Sequence, residues 1–110
     1  MAEVTFVQAR NFKNLICWKK SMEIVNKMKI LAKRLVEYRD YSLKNQIVWA
    51  SKSIAANIAE GNGQLYLRKE FSFLNNALGS ASEIRHWLEV AHSLKYIDKS
   101  EFEFYDSLAE

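Results

Sequence analysis

Four cations, Lys13, Lys20, Lys27 and Arg34, follow one another at intervals of seven residues. Seven residues are nearly two helical turns, so on a helix successive members drift by only about 20° and form one row at roughly 10 Å spacing. Such a row can neutralise successive phosphates of a nucleic acid. Lys19, Lys29 and Lys33 border it, while Glu23 and Glu37 dilute it. The same pattern also fits a lysine-rich face that does no more than stay solvated. Binding that falls steeply with salt separates the two readings.

Other reactive residue types lack the partners that catalysis needs. His86 and His92 are six apart, whereas two metal-binding histidines on one helix are spaced three or four apart. Glu83-Ile84-Arg85-His86 and Glu89-Val90-Ala91-His92 each match half of a di-metal carboxylate site, but both lie on one segment and no other supplies a histidine. Gly61-Asn62-Gly63 lacks the lysine and the Ser/Thr of a phosphate loop. The lone Cys17 excludes an internal disulfide and reads as a small buried hydrophobe. Asn57 and Glu60 read as hydrogen-bonding partners of neighbouring backbone or side chains, and Gly61 as a helix stop. Tyr66 beside Arg68 and Lys69 is the one local match to a base-stacking platform. The expectation is a non-enzyme with no catalytic residues, no metal and no cofactor.

The elements that position these residues are helices. A chain of 110 residues with no proline and three glycines offers few of the turns that β-architectures need. Apolar periodicity predicts helices over about 14–38, 42–60, 67–94 and 98–108, one domain across 1–110. In the first, capped by Asn14, the apolar arc from Cys17 to Val36 spans about 180°, where contact with one core needs about 100°. Ile16 and Ile30 fall outside even that arc, and Trp49 lies off the buried stripe of the second helix. These three are the candidate oligomer contacts. Ser42 or Asp40 caps the second helix, which Gly61 ends in the left-handed conformation. The third places Phe71, Leu74, Leu78, Ala81, Ile84, Leu88 and Ala91 in register, with Gly79 at a close helix crossing. Asp98 and Glu101 form a capping box for the fourth, which is short or truncated. The expected fold is an all-α, antiparallel up-down four-helix bundle.

Charge divides between the halves. Residues 1–39 carry nine basic and three acidic side chains, a net of +6, and residues 40–110 carry a net of −3. No apolar run approaches the roughly 18–20 residues of a membrane span, and the N-terminus lacks the layout of a secretory signal. A cytoplasmic protein with an anionic partner is expected.

Ser51-Lys52-Ser53-Ile54-Ala55-Ala56-Asn57-Ile58-Ala59-Glu60-Gly61 resembles the signature of the four-helix bundle proteins found in intervening sequences of bacterial 23S rRNA genes. A second block, Lys69 to Ser80, and the opening Phe12-Lys13-Asn14-Leu15-Ile16-Cys17-Trp18 are similar to the same family. The fold includes the accessory variability (Avd) proteins of diversity-generating retroelements. The resemblance covers about residues 12–97 and implies a ring-like homopentamer without enzymatic activity. For Avd-like members it further implies binding of RNA and of a reverse transcriptase; for the rRNA-intervening members it leaves a protein-interaction module as the alternative. Leu67 stands where relatives often carry a capping serine.

Overall fold

The computed structural model describes residues 11–63 and 67–110. Within them the chain forms a short 3-10 turn at Phe12–Asn14 and four α-helices: α1 (Ile16–Glu37), α2 (Tyr41–Asn62), α3 (Leu67–Ser93) and α4 (Lys99–Ala109). The helices form an up-down bundle in which α2 packs along both α1 and α3, while α4 lies on α3 and closes against α1. α1 and α3 sit diagonally. The long axis measures 55 Å and the others 23 and 22 Å. Leu35, Ile47, Ala50, Ile84, Leu88 and Ala91 are fully enclosed, with Met28 and Leu31 close behind. Each large apolar side chain so buried contributes about 1.5–3 kcal/mol.

The start of α1 is set differently from the expectation. The side chain of Asn11, not Asn14, accepts a hydrogen bond from the Lys13 amide and opens the 3-10 turn. Leu15 then starts α1 from extended backbone without a side-chain cap. The Trp18 ring, packed edge-on to Phe12 at 5.2 Å, anchors this entry instead. At the start of α2, Asp40 and not Ser42 is the cap, accepting from the Leu43 amide, and at the start of α4 Asp98 and Glu101 make the expected capping box.

Both chain reversals that carry left-handed backbone do so without glycine. Arg39 has φ 61° and Lys95 φ 65°. After each, the helix closes with the same pair of bonds: Asp40 N–H to Leu35 O and Arg39 N–H to Val36 O, then Tyr96 N–H to Ala91 O and Lys95 N–H to His92 O. These are Schellman closures, which satisfy the orphan carbonyls of the last turn.

Gly61, not Gly79, sits at the close helix crossing. α2 does not stop at Gly61 but runs through Asn62, and no described glycine has positive φ. Gly61 is buried where α2 crosses α3: a β-carbon there would lie 3.1 Å from Phe73 Cβ and 3.3 Å from the Glu70 carbonyl oxygen. At Gly79 such an atom would meet nothing within 4 Å. Gly61 sits on the same side of α2 as Ser53 and Asn57, at i, i+4 and i+8, and that side faces α3. Gly79 faces away from both neighbours.

Candidate nucleic-acid interface

Of the seven-residue row, Lys13 lies in the 3-10 turn ahead of α1, and Lys20, Lys27 and Arg34 flank the buried side of α1. Lys13 and Lys20 are exposed, but Lys27 and Arg34 are half-buried under α4. The Arg34 guanidinium donates to Glu101 Oε2 at 2.5 Å and to the Tyr96 carbonyl oxygen at 3.3 Å. Hydrogen bonding to the Glu101 carboxylate raises the Arg34 pKa above its ordinary value. Lys27 Nζ stands 5.8 Å from the centre of the Phe104 ring. Half of the row therefore holds α4. The sequence pattern missed this because heptad spacing fixes a common side of the helix but not which neighbour lies on it.

The remaining cations of α1, Lys19, Lys29 and Lys33, are exposed, and Lys29 borders α2. There an open groove of about 320 Å³ is lined by Val25, Asn26 and Lys29 of α1 and by Val48, Ser51 and Lys52 of α2. Two lysines thus stand on opposite walls, with an amide beside them and no carboxylate in the lining. The Ser51 hydroxyl at its base donates to the Val48 carbonyl oxygen at 2.9 Å. Lys33 and Lys44 follow along the same antiparallel pair of helices, one turn or two further on. Lys52 was not singled out by the sequence pattern; its signal is only that a thin, small-residue helix carries a lysine opposite Lys29.

The family-like block proves to be packing. Ser53 Oγ and Ser80 Oγ hydrogen-bond across α2 and α3 at 2.9 Å, and the Asn57 amide donates to Ser53 O at 2.8 Å and Ser53 Oγ at 3.1 Å. One turn beyond, Gly61 takes the approach of Phe73. The two sequence blocks are therefore the two sides of one helix crossing. Glu60 is exposed at its edge.

A model of the 23S rRNA-intervening sequence proteins matches residues 13–110. The chain belongs to that family. A crystal structure of a protein of unknown function from the S23 ribosomal protein family of Bacteroides thetaiotaomicron is 29% identical and superposes with a TM-score of 0.82, covering 86% of this chain and 88% of the other. No match is found among curated proteins. In this member of the 23S rRNA-intervening sequence family, Ser53, Asn57 and Gly61 seat the close docking of α2 on α3.

The other singled-out residues are placed as follows. Ile16, Ile30 and Trp49 are exposed, at 72, 55 and 69%. Cys17 is exposed instead of buried, on a part of α1 that the described α4 does not cover. Phe71 and Leu78, expected in the core, are likewise exposed, at 59 and 69%. His86 is exposed and stands on Trp87, and His92 stacks on Phe102. Among the described residues no group of three His, Cys, Asp or Glu could hold a metal, and no helix is long and apolar enough to cross a membrane. Tyr66 lies outside the described residues, so the stacking reading has no geometry to support it.

Proposed function

We propose that this protein is a non-enzymatic, self-associating scaffold that holds RNA on the α1–α2 face. The observation that carries this reading is the pair Lys29 and Lys52, set on opposite walls of a groove whose lining contains no carboxylate. The rigid helix pair fixes the spacing of the two backbones, so the two flexible cations meet a phosphate strand from opposite sides. Lys19 and Lys33 extend the positive side along α1, and Lys13 and Lys20 add charge around its start. Arg34 and Lys27 serve the protein's own α4 and are not assigned to RNA.

Self-association is supported by the exposed Ile16, Ile30 and Trp49, which the monomer leaves uncovered. A homopentamer, the assembly that the resemblance implies, repeats the basic groove five times and multiplies its field. A reverse transcriptase as protein partner is supported by the resemblance to the accessory variability proteins.

Retention of a structured RNA on the immobilised protein, measured across a salt series, tests the reading. Steep loss with salt in the parent, and loss of retention in the Lys29→Glu/Lys52→Glu double variant, is the expected result. No retention at low salt, or retention unchanged in the double variant, overturns it. Light scattering tests the pentamer separately, where a monomer at micromolar concentration removes it. The second reading, a protein-interaction module without RNA, draws on a different feature, the uncovered apolar side of α3.

A further inference from the structure

α2 carries one short pattern twice. Tyr41-Ser42-Leu43-Lys44 and Trp49-Ala50-Ser51-Lys52 each place an aromatic ring three residues before a lysine. On a helix such residues are surface neighbours, about 60° apart around the axis. Tyr41 and Trp49 are 55 and 69% exposed, and among the described residues no other ring packs on either. Other exposed rings are already engaged: Tyr38 stacks on Tyr96, and Phe104 lies under Lys27.

Both pairs stand alike beside the basic groove. Val48 and Ser51 mark the side of α2 that lines it. At 100° per residue Lys52 stands at its lip, and Trp49 lies about 60° further from α1. Lys44 and Tyr41 repeat that relation eight residues earlier, about 12 Å along the axis. Each lysine therefore comes between α1 and its aromatic ring. Negative charge is kept off this path. Asp40, next to Tyr41, is taken up by the Leu43 amide and the Tyr96 hydroxyl. The Ser53–Ser80 register brings Glu83 of α3 level with Trp49, on the side away from α1, where it accepts from Trp87 Nε1 at 3.4 Å. A phosphate strand is thus favoured on the groove side of the two rings and not on the α3 side.

We propose that the RNA held on this face is single-stranded, with its phosphates among the groove lysines and unpaired bases turned out over α2 to stack on Tyr41 and Trp49. This rests on the RNA reading above and names the form of RNA that the face takes. An aromatic ring accepts any base by its π-face, but only an unpaired base can reach it. A duplex keeps its bases stacked inside and offers the groove phosphates alone. Trp49 then belongs to the RNA face, and self-association rests on Ile16 and Ile30.

The test uses the whole chain and a fluorescein-labelled RNA strand of mixed sequence, free or annealed to its complement. Anisotropy is expected to show Trp49→Ala and Tyr41→Ala each weakening the free strand about tenfold. Duplex binding and both salt slopes are expected to stay as in the parent, because no phosphate contact is lost. Trp49→Phe is expected to keep most of the affinity while losing the tryptophan quenching that the free strand causes in the parent. Unchanged free-strand affinity in either alanine variant, or an equal loss on the duplex, overturns the proposal. So does a Trp49→Ala variant that no longer self-assembles in sedimentation, because the ring then meets a second copy. If the parent binds neither strand nor duplex, the RNA reading itself falls, and the stacking falls with it.

Discussion

Gly61 of α2 and Phe73 of α3 approach so closely that a β-carbon on the glycine would come within 3.1 Å of the phenylalanine Cβ. The neighbouring obstacle is the Glu70 carbonyl oxygen at 3.3 Å, which is backbone inside a helix and cannot swing aside. Alanine in a helix interior is worth about 1 kcal/mol over glycine, and overpacking costs about 1–3 kcal/mol. Gly61→Ala is therefore expected to destabilise the bundle by about 1 kcal/mol net, because the crossing has to open. Gly79→Ala, with open space around it, is expected to stabilise by about the same amount. Urea unfolding of the two variants checks this pair, and the opposite order of midpoints would show that the crossing lies elsewhere.

Left-handed backbone at Arg39 and Lys95 is a second place where side chain and conformation disagree. Non-glycine residues there cost about 1 kcal/mol relative to glycine. Lys95→Gly is expected to raise stability by about 0.5–1 kcal/mol, since Lys95 makes its closure through backbone alone. Arg39→Gly is expected to act alike. A fall in the thermal midpoint of Lys95→Gly would mean that its side chain does more than the backbone closure requires.

Tyr96 links the two reversals at one end of the bundle. Its ring stacks on Tyr38 at 4.5 Å, and its hydroxyl donates to Asp40 Oδ2 at 3.0 Å. That hydrogen bond, with lesser help from desolvation and the Asp40 charge, raises the phenol's pKa above its ordinary value of 10.0. A raised folded-state pKa gives stability that is fully present below the unfolded value and lost as pH rises through the folded one. The expected loss therefore falls above about pH 10, in a wild-type thermal midpoint that drops more steeply there than that of Tyr96→Phe. Identical pH profiles for the two proteins would remove the Tyr96–Asp40 link from the account.

What the sequence makes legible here follows from the range of each signal. Helix number, the Asp98–Glu101 box and the Asp40 cap depend on residues three or four apart, and all appear in the structure. The exposure of Ile16, Ile30 and Trp49 was readable from angular position alone. The fate of Cys17, Phe71 and Leu78 was not, because it depends on how far α4 reaches along α3. The same long-range fact decides the heptad row, whose lower half meets α4 while its upper half meets solvent. The glycines were misassigned for a related reason. Sequence shows that a glycine is present, but only the crossing geometry shows which one another helix needs.

The division of the cations gives the sharpest prediction about function. On single strands each neutralised phosphate contributes about 0.7 to the slope of log affinity against log salt. Lys29→Ala and Lys52→Ala are each expected to lower that slope by about this amount and to leave thermal stability nearly unchanged, since both side chains are exposed. Arg34→Ala is expected to do the reverse. It removes the partner of Glu101 and the donor to the Tyr96 carbonyl, so it destabilises by about 0.5–1 kcal/mol, while the salt slope stays as in the parent. Filter binding across a salt series, paired with urea unfolding of each variant, separates the two effects. If Arg34→Ala lowers the slope as much as Lys29→Ala does, then the heptad row and not the α1–α2 groove carries the phosphates, and α4 must leave its seat for RNA to bind.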